Sequence, residues 1–254
     1  MLTIVGIAAL TAALLGGPYY APHAMRMIAV GRLRRTCARH RILVLTYDDG
    51  PGPELTRRVL ALLADFGARA TFFLLGRRVV EHPEVIDEVA AAGHEIGCHG
   101  YSHRHAWRSW PWEPAADVRR GYRTIERWVG ANAPYRPPCG KLVLPMWWVL
   151  RRQRASLGWW TIDSGDTHAT LPDPRAVVAA VRGAGGGVVL LHDFDRDRAT
   201  RAARHAHVLN TTAGLLELAR SEGLNVCTLG QLQPWQTPAT LHPGPSLCDR
   251  PDTA

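Results

Sequence analysis

The stretch from Leu45 to Thr56 reads LTYDDGPGPELT and sets two adjacent aspartates, Asp48 and Asp49, between an apolar run and Gly-Pro-Gly-Pro. The run before them, Arg41 to Tyr47, is short and mostly apolar at both alternating positions, which is typical of a strand buried on both faces of a parallel sheet. The glycines and prolines end the strand in a turn. Asp-Asp-Gly alone is also common turn chemistry. At the carboxyl end of a central strand, however, the pair would lie where α/β folds bind ligands.

Strand-like and helix-like segments alternate through the rest of the chain. We predict strands at 70–75, 94–98, 157–162, 188–192 and 224–229. We predict helices at 55–66, 79–92, 114–129, 174–182 and 211–221. This alternation indicates an α/β fold with a parallel sheet. About seven strand–helix units fit an α/β barrel, including an irregular one.

The composition argues against several kinds of partner and site. The chain has 254 residues, 46% of them apolar, and a formal net charge of +8. Lys141 is the only lysine, and the arginines are dispersed in pairs, which argues against a nucleic-acid partner. Five cysteines without CxxC spacing predict neither a disulfide framework nor a cysteine metal site.

The N-terminus is apolar, and residues 2–22 carry no charge. A bilayer-spanning helix needs about 20 apolar residues, so we predict a membrane anchor or signal-like segment at 1–25. A basic juxtamembrane linker at 26–40 would follow, since arginine there favours lipid headgroups. A cleaved signal peptide and a buried helix are the alternatives. Arginines after the segment favour a cytoplasmic domain, but the side of the membrane stays open.

Two further regions complete the predicted organisation. Residues 41–232 form the catalytic domain in this prediction. Residues 233–254 contain several prolines and no periodicity, which is typical of a loose tail.

Titratable residues stand at the ends of the predicted strands, in order along the chain. After Asp48 and Asp49 these are His99, His103, Arg136, Asp163, Asp166, His192 and Asp193. The spacing of His99 and His103, i and i+4, is a common device in metal sites. With an aspartate from the first strand, two histidines form a site that leaves coordination positions open for water and substrate.

These residues also resemble a known family. The segments TYDDGP, HGYSH, RPPCG, DSGD and LLHD are similar, in order, to the five motifs of the polysaccharide deacetylases, carbohydrate esterase family 4 with the NodB-type homology domain. The similarity covers residues 41–230. It implies a distorted (β/α)7 barrel, here with an N-terminal apolar anchor helix, and metal-dependent hydrolysis of an N-acetyl group on a sugar.

The resemblance assigns a metal site and a base. It implies Asp49, His99 and His103 as ligands of a divalent metal, and we expect Zn²⁺, with Co²⁺, Mn²⁺ or Ni²⁺ as alternatives. It implies Asp48 as the general base and Arg136 as its partner. A divalent metal polarises an amide carbonyl and lowers the pKa of bound water.

The resemblance also implies His192 as the general acid and Asp166 as the residue that orients it. Four further residues are expected to contact the substrate: Tyr101, Pro138, Cys139 and Leu190. For Asp163 and Asp193, helix capping or loop structure explains the residue as well as function does.

Three positions depart from the family pattern. Gly100 replaces the usual Ser or Thr, so a hydrogen bond behind the metal ligands is expected to be missing. Cys139 replaces a Tyr whose backbone helps to hold the oxyanion, a role that survives the change. Thr167 replaces a Trp of the groove wall, so the shape of the sugar site is expected to differ.

Adjacent carboxylates place a condition on the fold. Side chains in a strand alternate between its two faces. Asp48 and Asp49 can therefore serve one site only where the strand ends and the turn twists both toward it. We also expect Arg136 beside Asp48 to keep that carboxylate ionised, and His192 to protonate the leaving amine.

The leading hypothesis is a metal-dependent deacetylase acting on an N-acetylated glycan, oligosaccharide or lipid-linked sugar. One alternative is a deformylase or another amide hydrolase of a lipid-linked amino sugar, which the apolar N-terminus and the missing Trp favour. A second is a catalytically dead glycan-binding module, which the intact base, metal ligands and acid disfavour.

Overall fold

The computed structural model describes residues 2–130 and 132–232, with side chains from residue 21 onward. The predicted tail at 233–254 lies outside these residues. The strands are β1 (Ile42–Asp48), β2 (Thr71–Leu74), β3 (Glu95–Cys98), β4 (Ile162–Asp163), β5 (Gly187–His192) and β6 (Asn225–Val226). The helices are α1 (Leu2–His40), α2 (Leu55–Asp65), α3 (Gly76–Glu81), α4 (Pro83–Ala91), α5 (Trp112–Ile125), α6 (Leu144–Arg152), α7 (Pro174–Ala184), α8 (Arg198–Glu222) and α9 (Leu229–Leu232).

The strands form one parallel sheet with β1 at its centre. The order is β3-β2-β1-β5-β4, and β6 pairs with the first residues of β1. Two isolated parallel bridges join Tyr135 to Cys98 and to Leu157, so parallel pairing continues from β3 toward the segment that leads into β4. The predicted α/β class and parallel sheet are confirmed.

Side chains of β1 alternate between two apolar clusters, as the pleat requires. Leu43, Leu45 and Tyr47 enter the larger cluster, to which α2 and α8 contribute. Ile42 and Val44 enter the second cluster instead. Because every side chain of β1 is buried, the strand is covered on both faces, as its apolar sequence predicts.

The second cluster contains part of α1, which corrects the prediction for residues 26–40. That segment is helical rather than a linker, and Leu33 and Cys37 are buried in the cluster. Val30 packs against the same cluster. These three residues recur at helical spacing among the arginines and form the stripe that docks. The packed domain therefore begins before residue 41.

The predicted anchor at 1–25 falls largely on residues whose side chains are not described. Within the described part of the chain, no helix is both long enough and apolar enough to cross a bilayer.

Several element boundaries also differ from prediction. The helix expected at 79–92 is split into α3 and α4 at His82, because Pro83 begins a new helix. The strand expected at 157–162 pairs with β5 only through Ile162 and Asp163. Helix α6 was not predicted, and α8 begins at Arg198, well before the expected start.

Docking of α1 predicts a stability cost for a single truncation. Leu33 is 3% exposed, so Leu33→Ala should lower the free energy of unfolding by about 2–5 kcal/mol through lost burial and a cavity. Urea unfolding would measure the change, with Arg32→Ala, an exposed residue of the same helix, as the matched control. Equal stability of the two variants would mean that α1 is not part of the core.

Candidate active site

The end of β1 turns two carboxylates toward one point. Asp48 is the last residue of the strand, and Asp49 has a left-handed backbone with φ of 68°. As a result, Asp48 Oδ2 lies 3.7 Å and Asp49 Oδ1 lies 3.5 Å from the same atom, His99 Nε2. The expectation that a strand end can direct both carboxylates to one site is confirmed.

Asp49, His99 and His103 form a group that could hold a metal ion. Asp49 Oδ1 is 3.4 Å from His103 Nε2, and one ligand atom of each residue lies within 4.8 Å of the others. His105, two residues after His103, is not in this group. Two imidazole nitrogens and one carboxylate oxygen are a donor set that suits Zn²⁺ and other divalent transition metals.

The surroundings of these three residues fit a cation. Asp49 Oδ1 is buried and has no hydrogen-bond partner among the described residues, which costs free energy unless a cation pairs with it. His99 Nδ1 donates to the carbonyl of Arg136 at 2.7 Å, so its Nε2 lone pair faces the carboxylates. Burial lowers the pKa of His99 to about 3, which keeps the ring neutral, as a metal ligand must be.

Asp48 is held by the buried Arg136. Arg136 Nη1 donates to Asp48 Oδ1 and to Thr46 Oγ1, both at 2.7 Å, and Nε donates to the carbonyl of Gly158 at 2.9 Å. Burial raises the pKa of Asp48 above its ordinary value, and the positive charge of Arg136 opposes that rise. The expected partner is therefore present, but burial outweighs it and makes the carboxylate a stronger base.

His192 lies opposite Asp48. It is the Cα partner of Asp48 in the pairing of β5 with β1. Its Nδ1 donates to Asp166 Oδ1 and its backbone N–H donates to Asp166 Oδ2, each at 2.7 Å. Burial lowers the pKa of His192, but the attraction and hydrogen bonds of Asp166 outweigh burial and raise that pKa to about 9. The ring is therefore a cation at neutral pH.

The four residues expected to contact substrate lie in different surroundings. Tyr101 is partly buried, with the Arg120 guanidinium 3.5 Å from its ring centroid. Pro138 is buried, whereas Cys139 beside it is exposed and has a φ of 54°. Leu190 is buried two residues before His192, on the same face of β5. Their contact with a substrate stays a prediction.

Asp163 and Asp193 support loops. Asp163 Oδ1 accepts the backbone N–H of Gly165 at 2.9 Å. Asp193 is fully buried; its Oδ2 accepts from Thr56 Oγ1 at 2.6 Å, and its backbone N–H donates to the carbonyl of Asp48 at 3.2 Å. Gly50 packs directly on the carboxylate of Asp193, which explains the absence of a side chain there.

A second group of titratable residues also joins the loops that follow β1 and β5. The carboxylate of Asp195 accepts the backbone N–H groups of Glu54 at 2.8 Å and Leu55 at 2.9 Å, at the start of α2. The buried His205 places Nε2 3.2 Å from Asp195 Oδ1. Because Glu54 also faces Arg201 at 3.5 Å, we interpret the group as an ion-pair cluster that fixes the two loops.

Arg26 is a site residue that the sequence analysis missed. It extends from α1 and donates to the carbonyl of Gly140 at 3.2 Å. Its guanidinium also lies 5.3 Å from the ring centroid of Trp159 and 4.7 Å from that of Trp160. The N-terminal helix therefore supports the turn that contains Cys139, and no sequence motif marks this contact.

Asp117 on α5 is a second site residue that the sequence analysis missed, and its position explains why residue 100 is a glycine. Its carboxylate accepts the backbone N–H of Tyr101 at 2.9 Å, and the N–H and hydroxyl of Ser102 at 3.1 Å and 2.6 Å. A Cβ atom at position 100 would lie only 2.5 Å from Asp117 Oδ2. Asp117 thus occupies the space that a side chain at 100 would need, and it holds the turn between His99 and His103.

The fold and this site together define an α/β protein with a parallel sheet and a candidate single-metal centre. The sequence matches the family described as polysaccharide deacetylase over residues 35–155. It is 32% identical over 171 residues to a peptidoglycan-N-acetylglucosamine deacetylase of Bacillus cereus. The aligned region covers 66% of this chain and 80% of that protein. The chain therefore belongs to the polysaccharide deacetylase family.

Two further comparisons agree with this assignment. The chain is 30% identical over 216 residues to a chitooligosaccharide deacetylase of Bradyrhizobium, covering 76% of this chain and 90% of that protein. The structure is similar to that of a family 4 carbohydrate esterase from Streptomyces lividans in complex with acetate. The TM-score is 0.62 at 26% identity, with 73% of this chain and 91% of that chain covered.

The position of Asp117 predicts an effect on metal binding. Asp117→Ala should free the turn that carries His103 and weaken metal affinity by about 10–100-fold, as loss of outer supports does. His103→Ala should remove binding altogether. Titration against a chromogenic chelator would measure both, with melting temperature recorded on the same samples. Asp87→Ala, which removes a carboxylate bound to Trp128, is the control. Unchanged affinity in folded Asp117→Ala would exclude this supporting role.

Proposed function

We propose that this chain is a metal-dependent hydrolase that removes N-acetyl groups from an amino sugar in a glycan or glycolipid. The observation that carries the proposal is the placement of Asp48 and His192 as partners in neighbouring strands, beside Asp49, His99 and His103. The chain belongs to a family of enzymes that hydrolyse N-acetyl amide bonds in polysaccharides.

In this proposal Asp49, His99 and His103 hold the metal, and Zn²⁺ fits them best. Two histidines and a carboxylate are a typical catalytic zinc set, and Co²⁺, Mn²⁺ or Ni²⁺ are alternatives. When bound, such an ion acts as a Lewis acid toward the amide carbonyl and lowers the pKa of a bound water.

The other residues divide the proton transfers between them. Asp48 accepts the proton of the attacking water, which a carboxylate with a raised pKa does well. Arg136 positions Asp48 through the 2.7 Å contact. His192, a cation held by Asp166, donates its proton to the leaving amine and so makes the amine a better leaving group.

The relatives support the proposed substrate class. Two of them are named as deacetylases of peptidoglycan N-acetylglucosamine and of chitooligosaccharides, which supports an N-acetylated glycan or oligosaccharide here. A lipid-linked sugar remains part of the proposal because residues 2–22 carry no charge. We propose that this segment attaches the enzyme to a membrane, on a side left open.

We further infer a distorted (β/α)7 barrel. Six strands together with the bridging residue Tyr135 make seven parallel positions, and Tyr135 connects β3 to the segment before β4. This arrangement supports a closed sheet with Thr46, Asp48, Leu190 and His192 on its enclosed face. Each of them lies two or four residues along its strand from Val44 or Val188, and residues at that spacing point to the same face.

Release of acetate tests the proposal. The metal-loaded protein should release acetate from chitooligosaccharides, peptidoglycan fragments or lipid-linked N-acetyl sugars, and chelation should stop the reaction. Asp48→Asn is nearly isosteric and should keep the metal while lowering kcat by about 10²–10⁴-fold. Asp65→Asn, at the far end of α2, is the control.

The outcomes separate the alternatives. Release of formate instead of acetate would favour the deformylase. Metal binding without turnover on any of these substrates would favour the glycan-binding module. A metal-loaded Asp48→Asn protein with normal turnover would leave Asp48 as a turn residue only.

The Asp166–His192 pair predicts a pH dependence. Since the pKa of His192 is raised to about 9, the protonated acid is present below that pH and is lost as pH rises through it. Asp166→Asn removes the charge that raises this pKa, so the basic limb of kcat/KM should move to lower pH. Asp163→Asn, at the exposed end of β4, should leave the limb in place. An unmoved limb in Asp166→Asn would show that His192 is not the acid.

A further inference from the structure

Exposed large apolar side chains gather in two parts of the described structure. Seven of the eight lie either on α1 or on the segment that contains α5 and α6, and the exception is Val80. On α1 they are Met25, Met27 and Ile28. In the other segment they are Trp110, Trp112, Leu144 and Trp148. Single exposed apolar residues are ordinary, but a cluster of them marks an interaction site.

The tryptophans form one surface between α5 and α6. Trp110 and Trp112 are 68% and 64% exposed, and their rings stack with centroids 5.4 Å apart. Trp112 and Trp148 line a common groove. Leu144 is one helical turn before Trp148 on α6. We call this surface, with the two arginines that also line it, the Trp groove: Trp110, Trp112, Arg119, Leu144, Trp148 and Arg152.

Positive charge is concentrated around the Trp groove. Residues 104–154 contain eleven Lys and Arg against three Asp and Glu, and six of the nine tryptophans. Arg119 and Arg152 are exposed at the groove itself. Arg136 is buried in its pair with Asp48, so the cations free to meet a partner are the exposed ones, such as Arg119 and Arg152. An uncharged N-acetyl sugar does not need exposed arginines beside it, whereas an anionic lipid surface attracts them.

The Trp groove is joined to the catalytic residues and to α1. The chain runs from His103 directly into Trp107, whose ring lies 6.1 Å from that of His23 on α1. Lys141, which follows the Cys139 turn and leads into α6, places its ammonium 4.1 Å from the Trp107 ring. Residue His23 of α1 and the segments that lead from His103 and from Cys139 into the Trp groove therefore meet at Trp107.

We propose that the Trp groove docks on an anionic phospholipid bilayer. Tryptophan rings prefer the membrane–water interface, because they combine a large apolar body with a polar N–H group. Arginines beside them pair with anionic headgroups. The inference rests on the membrane attachment proposed above and deepens it: docking would present His103 and the Cys139 turn to an N-acetyl sugar carried by a lipid.

Quenching by brominated lipids tests this contact. The full chain is reconstituted in vesicles of phosphatidylcholine and phosphatidylglycerol with brominated acyl chains, and the quenched fraction of tryptophan fluorescence is measured. The triple variant Trp110→Phe, Trp112→Phe, Trp148→Phe lacks the residues in contact, so the quenched fraction of its remaining fluorescence should fall close to zero. Trp128→Phe removes an indole that is bound to Asp87 and lies outside the Trp groove, so it should not lower the quenched fraction.

The arginines supply a second arm. Arg119→Ala with Arg152→Ala should lower quenching in these vesicles to the level found with phosphatidylcholine alone. Arg175→Ala with Arg182→Ala, on α7, changes net charge equally and should have no effect. A quenched fraction in the triple tryptophan variant equal to that of wild type would overturn the proposal.

Sedimentation with vesicles separates this proposal from the N-terminal anchor. Sedimentation that survives high salt, with quenching unaffected by the triple variant, would leave the anchor and overturn the docking surface. Sedimentation that high salt and the triple variant both abolish would support the docking surface and reject the anchor. A chain that does not sediment, but whose tryptophan fluorescence responds to soluble N-acetylglucosamine oligomers, would overturn both and identify a glycan groove.

Discussion

The buried guanidinium of Arg136 is the interaction on which the site depends. It binds Asp48 and Thr46 of β1, and Nε reaches the carbonyl of Gly158 in the segment before β4. The backbone carbonyl of Arg136 accepts a hydrogen bond from Nδ1–H of His99, just beyond β3. A buried charge is tolerated only when its partners are all in place. The position of the proposed base and the orientation of the candidate metal ligand therefore depend on the same buried guanidinium.

Around this ion pair, the site combines regular strands with unusual turns. Asp49, His103 and Cys139 all have positive φ, at 68°, 58° and 54°. Such conformations cost free energy for residues other than glycine and persist where surrounding contacts determine them. Three contacts determine them here. Asp193 packs against Gly50, Asp117 binds the turn between His99 and His103, and Arg26 donates a hydrogen bond to Gly140. The parallel strands thus bring these segments together, and the strained turns orient their side chains toward one point.

Sequence reasoning identified the strand-end residues because their placement obeys a local rule. Asp48, His99 and His192 each follow or end an apolar run, and parallel strands carry such positions to one edge. No local pattern marks Arg26 or Asp117. Arg26 contacts Gly140, which lies 114 residues away in the sequence. Asp117 binds Tyr101 from a helix whose sequence is typical of an amphipathic surface helix. The docked half of α1 was missed because its few apolar residues stand among arginines, so only tertiary contacts reveal which face is buried.

The position of α1 has a consequence for the order in which the chain folds. Leu33 and Cys37 belong to the same cluster as Val188 and Cys227, which leave the ribosome only after most of the chain has been made. Strands β1 and β2 can pair soon after synthesis, but the first helix must wait for the last strands. Contacts between distant parts of a chain form slowly, because a long loop must close before they stabilise it. Helix α1 therefore completes its docking only after β5 and β6 have been made, and a nascent chain that is released before then retains an uncovered apolar stripe on α1.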